Sequence, residues 1–207
     1  MATPRRTRTT PRKRPRQARS IETVEALLEA TARVLVKHGY DGLSTNRVAE
    51  QAGVSIGSLY QYFPSKEALV AELLEKYSVH FQELVIGMLA SDQDRSPRTV
   101  AKAIVRAMVE LKRTNPKLAR VLREQIPRVG RMNRYEENLA RIVEATTLFL
   151  GGHASTLRVR DIRSAAFVVV HAVEAVTHQG VIEEDYDPET LIDDVTDMVS
   201  RYLFRDA

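Results

Sequence analysis

Along most of the chain hydrophobic residues recur at intervals of three and four. From Ser20 onward, Val24, Leu27, Leu28, Val34 and Leu35 fall at i, i+3, i+4, i+10 and i+11, with Thr31 in the i+7 place. That is the spacing of one helix face. Thr31 is tolerable there because its hydroxyl can bond a carbonyl one turn back. Ser20 suits the N-cap, Glu22 and Glu25 suit the positive end of the helix dipole, and Gly39 supplies the stop.

"GYDGL" then makes a turn, and Ser44 can cap a second helix that carries Val48, Ala49 and Ala52 inward. Gly53 stands where a left-handed exit is cheap. Ser55 can cap a third helix with Leu59 and Phe63 toward the core, Pro64 ends it, and Ser65 with Glu67 opens a fourth. The fourth is long, with Leu69, Leu73, Tyr77, Phe81, Leu84 and Met88 as its apolar face until "SDQDRSP". Helical spacing returns over 100–111, 118–126, 135–150, 162–177 and 191–203. No convincing period-2 alternation appears, so the fold class is all-α: a three-helix N-terminal unit, then a larger helical domain.

With 43% hydrophobic residues in 207, the chain can bury a core. Cysteine is absent, which removes disulfides and thiolate metal sites and fits a reducing cytosol. The apolar run "AAFVVVHAVEAV" is interrupted by His171 and Glu174 and falls short of the roughly 20 residues of a membrane span. A soluble, cytoplasmic protein without membrane partners is expected.

The net charge of +4 is unevenly spread. Arg5, Arg6, Arg8, Arg12, Lys13, Arg14, Arg16 and Arg19 lie in an acid-free start, whereas residues 21–207 hold 23 basic against 27 acidic side chains. Pro4, Pro11 and Pro15 oppose a helix there, so residues 1–19 read as a disordered basic arm. The same prolines spoil a transit-peptide helix, and Glu22 and Glu25 stand where a secretory signal would need an apolar core.

Two short helices joined through Gly53-Val54 and backed by a longer one are the parts of a helix-turn-helix unit. With Leu59 and Phe63 buried, Gly57, Ser58 and Gln61 lie opposite, with Tyr60 and Tyr62 flanking them at phosphate height. Ile56 is ambiguous, about 40° from the centre of the core stripe by ideal spacing. Gln61 can pair with adenine N6 and N7, Ile56 can contact a thymine methyl, and hydroxyls can donate to phosphates.

The stretch "LSTNRVAEQAGVSIGSLYQYFPSKEALV" resembles the N-terminal signature of the tetracycline-repressor (TetR) family of bacterial transcription regulators, through Gly53-Val54, Leu59-Tyr60, Phe63 and Lys66. The resemblance covers about residues 20–70. It implies a DNA-binding domain over 20–66 and a helical domain over 67–207 that encloses a small-molecule pocket. It also implies a homodimer joined through the last two long helices. Carried onto this chain, Thr45 and Lys66 would hold phosphates, and Ser55, Ile56, Gly57, Ser58, Tyr60, Gln61 and Tyr62 would form the recognition helix. That helix has no Arg or Lys, so guanine reading is missing unless Arg47 reaches in. The function implied is a ligand-responsive regulator, a repressor released from a palindromic operator by a small molecule. The alternative is a larger domain that binds a protein partner or carries an enzymatic activity.

Residues 21–66 have Arg33, Lys37, Arg47 and Lys66 against five acids. Phosphate neutralisation supplies most non-specific affinity, so the basic arm is the expected source of it. Met88, Met108, Tyr135, Thr146 and Thr147 either line a pocket or pack a core. Val169, Val173 and Val176, with Val195, Met198, Val199 and Tyr202, offer an apolar seam for a dimer, or a buried core in a monomer. His171, Glu174 and His178 share a helix face but lack the HExxH spacing, and "EEDYD" lacks the EF-hand positions. No metal, no cofactor and no catalytic set is expected, so the reading is not an enzyme.

Overall fold

The computed structural model describes residues 10–11, 18–91, 96–125, 127, 129–130, 132–184 and 186–205, without the side chains of Met132 and Asn133. The basic arm therefore lies almost wholly outside the described residues. Nine α-helices are described: α1 Ala18–Gly42, α2 Thr45–Ala52, α3 Ile56–Tyr62, α4 Lys66–Ser91, α5 Pro97–Thr114, α6 Pro116–Gln125, α7 Met132–Gly152, α8 Ile162–His178 and α9 Pro188–Leu203. A 3-10 turn at Ala154–Thr156 precedes α8, and a π-helical turn at Gln179–Glu183 extends it. Among the described residues the only β-type pairing is an isolated bridge between Leu157 and Phe204. The protein is all-α.

Two compact units divide these helices. The first holds residues up to Tyr77 together with Lys117–Arg134; the second holds Ser78–Pro116 and Tyr135–Ala207.

In the first unit, α1 buries Leu27, Leu28, Thr31, Val34 and Leu35, and the Thr31 hydroxyl donates to the Leu27 carbonyl at 2.7 Å. That bond lets a polar side chain sit fully buried, since its hydrogen-bonding capacity is met within the helix. Gly39 interrupts α1 at φ 66, ψ 179, a backbone state that side chains with a Cβ disfavour. Ser44 caps α2 by accepting from the Arg47 N–H, and Ser55 caps α3 by accepting from the Ser58 N–H. Between them Gly53 takes φ 67, ψ 27, and the N–H groups of Gly53 and Val54 close the end of α2 on the Glu50 and Ala49 carbonyls. The Ala68 N–H donates to the Ser65 hydroxyl at the start of α4, which fits Ser65 as its cap.

The second unit is held by α5, α8 and α9, which all touch one another. α9 buries Leu191, Ile192, Val195, Val199 and Leu203 on one face. Its acidic face meets the basic face of α5 in an antiparallel ladder: Arg98 with Asp197, Lys102 with Asp193 at 2.7 Å, and Arg106 with both oxygens of Glu189. These pairs are solvent-exposed, so they set register more than stability. Lys112, further along α5, donates to the Thr177 hydroxyl at 2.7 Å and to the Glu174 carbonyl, anchoring the end of α8. Gly180 in the π turn lies against Leu191, where a Cβ would come within 2.8 Å of a methyl. Together α8 and the π turn give a 22-residue stretch whose most apolar 18-residue window has a mean hydropathy of 1.4, long and apolar enough on those grounds to cross a membrane. In its most apolar window 44% is buried inside the protein.

The face expected for α4 is shifted. Leu69 and Leu73 are buried as expected, but Tyr77 is 40% exposed and Leu84 and Met88 are half-buried. Val70, Leu74, Val85 and Leu89 are buried instead. From Leu69 to Phe81 the expected positions are four apart. Each such step turns about 40° past a full turn, because 3.6 residues make a turn, so over a helix of 26 residues the stripe leaves the buried face.

A candidate DNA-binding surface and an apolar cavity

α3 is only seven residues long, and it is held by a stripe of three: Leu59, Tyr62 and Phe63 at i, i+3 and i+4. Their relative exposures are 0%, 9% and 1%. This corrects the expected outward placement of Tyr62. On a helix this short the i+3 position shares the core face with i and i+4, so the Tyr62 ring packs inward. What remains outside is Ser55, Ile56, Gly57, Tyr60 and Gln61, with Ser58 half-buried. Ile56 is 38% exposed, which resolves its ambiguity toward the outer face.

Local bonds fix this surface. The Ser55 and Ser58 hydroxyls are 2.8 Å apart, and the hydroxyls of Thr45 on α2 and Tyr60 on α3 are 3.1 Å apart. The second contact ties the two helices together at their exposed edge. Arg47 is exposed and its guanidinium donates to the Gly42 carbonyl, bracing the turn before α2. The Lys66 ammonium donates to the Tyr40 carbonyl at 3.0 Å and stands 4.6 Å over the Tyr40 ring. Lys66 thus joins the start of α4 to the end of α1. An added Cβ at Gly57 would meet only the Ser55 hydroxyl, at 3.8 Å. Nothing within the described fold requires glycine there.

The second unit holds an apolar cavity of about 80 Å³ that is partly open to solvent. Phe81, Val85 and Leu89 of α4 line it, with residues of α5, α7, α8 and α9. Of the five residues expected as pocket candidates, Met108 and Thr146 are on its wall and Met88, Tyr135 and Thr147 are not. The Thr147 hydroxyl returns instead to the Val143 carbonyl, four residues back. Sequence reasoning missed Phe81, Ile104, Val105 and Phe149 as wall residues. No signal separated them from ordinary core, because they carry the same apolar spacing.

The expected dimer seam also splits in two. Val173, Val195 and Val199 are buried within the protomer, and Val169, Val173 and Val199 line the cavity. Val176, Met198 and Tyr202 are about two-fifths exposed. Phe167 and Val168, which the sequence reading left out, are 55% and 42% exposed. They occupy the outward stripe of α8 with His171, whose ring lies 4.1 Å from that of Phe167.

Among the described residues no group of three or more His, Asp and Glu is placed to hold a metal ion.

A capped helix-turn-helix with a polar outer face, followed by a helical unit around an apolar cavity, defines a bacterial regulator of transcription. Residues 27–73 match the model of bacterial regulatory proteins of the tetR family, and residues 96–203 match the tetracyclin repressor-like C-terminal domain. The chain belongs to the tetR family, whose regulators are generally non-enzymatic DNA-binding proteins.

It is 33% identical over 108 residues to the nucleoid occlusion factor SlmA of Haemophilus ducreyi, covering 52% of this chain and 49% of that one. It is also 33% identical over 70 residues to the HTH-type transcriptional regulator YvdT of Bacillus subtilis, covering 34% and 36%. The chain spans about half the length, or less, of these curated relatives. Among solved structures, SmeT, the repressor of the Stenotrophomonas maltophilia efflux pump SmeDEF, superposes with a TM-score of 0.72 at 20% identity, covering 90% and 94%. The fatty acid degradation regulator FadR of Bacillus halodurans gives 0.70 at 19%, covering 90% and 96%.

Proposed function

We propose that the chain is a cytoplasmic, dimeric repressor that binds a palindromic operator through α3 and is released when a small molecule occupies the apolar cavity. The observation that carries this is the division of α3. Leu59, Tyr62 and Phe63 hold it, and Ser55, Ile56, Gly57, Tyr60 and Gln61 are left facing outward. Gln61 and Ile56 supply base contacts, and Ser55, Thr45 and Tyr60 supply hydroxyls for phosphates. Gly57, with open space above it, suits a backbone approached closely by DNA.

Residues 20–66 form the DNA-binding part and residues 67–207 the effector and dimer part of this reading. Two symmetry-related recognition helices require a dimer. The outward apolar side chains Phe167, Val168, Val176, Met198 and Tyr202 of α8 and α9 support its placement there. The basic arm adds the positive charge for phosphates that α3 lacks. A structural neighbour, SmeT, was solved in complex with triclosan, which supports a small-molecule ligand.

Selection of DNA fragments from a random pool by the full chain tests the reading. The expected product is an inverted repeat with half-sites one helical turn apart. Recovery of fragments with no shared sequence would overturn it. A second reading, a protein partner for the larger unit, is favoured by the relatives named nucleoid occlusion factor. Binding to DNA that no small molecule weakens would select it.

A further inference from the structure

We infer that the cavity is built for an uncharged, hydrocarbon-rich molecule and discriminates against ionised molecules of the same length, carboxylates above all. The inference deepens the effector reading and rests on it. Of the residues that line the cavity, only Thr146 and Glu174 have polar side chains, and none is Lys, Arg or His.

A carboxylate taken out of water needs a cation or several donors to replace its hydration. Here the wall offers one hydroxyl, and its one ionisable side chain is itself acidic. The polar groups that continue the cavity-lining faces of α4 and α7 are neutral too. Asn138 donates to the Ser78 hydroxyl at 2.6 Å, and Gln82 is buried with its Oε1 unpaired. One hydroxyl and no cation are all that this lining offers a negative head group. One carboxylate, Glu174, is likewise too little to replace the hydration of an ammonium, which needs a charge partner and further acceptors for its remaining protons.

Size adds a second condition. At about 80 Å³ the cavity is smaller than the roughly 150 Å³ apolar cavity known to hold benzene. A ligand of one ring or more that is to be fully enclosed therefore has to displace wall side chains, and Met108, with its flexible thioether stem, is suited to move. Entry is driven by apolar burial and coupled to rearrangement of α5 against α7 and α8.

The test uses the full-length chain with 1-decanol, decanoate and decylammonium as probes. Direct binding is read by calorimetry without DNA, and operator release is read separately. Decanol is expected to bind at least about tenfold tighter than either ion. Ala101→Phe, which fills the cavity wall, is expected to remove decanol binding and keep operator binding; Ile104→Phe replaces it should the first variant not fold. Either ion binding as tightly as decanol overturns the inference while leaving the effector reading in place. Decanol binding that leaves operator affinity unchanged supports the ligand class and overturns effector release instead. Failure of decanol to bind, or binding that survives both cavity-filling variants, overturns the inference.

Discussion

The helix-turn-helix and the larger unit solve opposite problems with the same residue types. α3 has seven residues, of which Leu59 and Tyr62 face inward together with Phe63 at its cap, so most of its remaining side chains lie on the outer surface. The apolar surface of α8 and α9 is divided: one part packs, one part lines a cavity and one part faces out. In the first region a residue's role follows from its face. In the second, Val173 and Val176 are three residues apart on one helix and sit in different environments, one buried and one 39% exposed.

The largest expected effect separates the two sides of α9. Val195→Asp places a charge among buried aliphatics and should cost about 3 kcal/mol or more, enough to leave little folded protein. Met198→Asp, on the exposed side three residues on, should leave a folded chain that sediments as a monomer. Denaturant unfolding and sedimentation of both variants check this. A folded Val195→Asp monomer would return Val195 to the seam that its sequence spacing suggested.

Next comes the inward stripe of α3. Phe63→Ala should destabilise the first unit by about 3–5 kcal/mol, as for a buried aromatic truncated to alanine. Hydrogen exchange should show the loss in α1 to α3. Ser55→Ala removes the cap and should cost about 0.5–2 kcal/mol in the same unit. Equal stability of Phe63→Ala and the parent chain would mean that α3 is held by something other than this stripe.

The smallest effect belongs to the exposed ladder between α5 and α9. Bonds from Arg106 hold the Glu189 carboxyl below its ordinary value, and the Lys102 ammonium does the same for Asp193. Both carboxylates are depressed, so the stability they add is present above their unfolded values near 4.5 and 3.8 and is lost as pH falls through the folded ones. The stability difference between the parent chain and Lys102→Met should therefore be slight at neutral pH, shrink in high salt and vanish in acid. A difference that grows in acid would contradict the pairing.

These contrasts also explain what could be read in advance. The caps Ser44 and Ser55 and the left-handed Gly53 were legible because each role needs particular residue types in one order. Tyr62 was misplaced because its hydroxyl suggested water or phosphate, while helix spacing sends its ring inward with Leu59 and Phe63. The cavity was only half legible. Thr146 marks its wall as a polar interruption, but Phe81, Val105 and Phe149 read as core in any helical bundle. The ladder of Arg98, Lys102 and Arg106 repeats every four residues, and so does its acidic partner; only the antiparallel packing shows that the two stripes meet.

The central claim is that the outward face of α3 reads DNA sequence without an arginine or lysine. Gln61 is its best-placed reader, exposed on that face and able to make a bidentate bond to adenine. Binding selection over randomised half-sites with the parent chain and Gln61→Ala tests it most directly. The account expects an A·T pair preferred at one position by the parent, relaxed preference there in the variant, and a loss of about 1–3 kcal/mol on the preferred operator with unchanged folding stability. A variant that keeps every positional preference of the parent would contradict it.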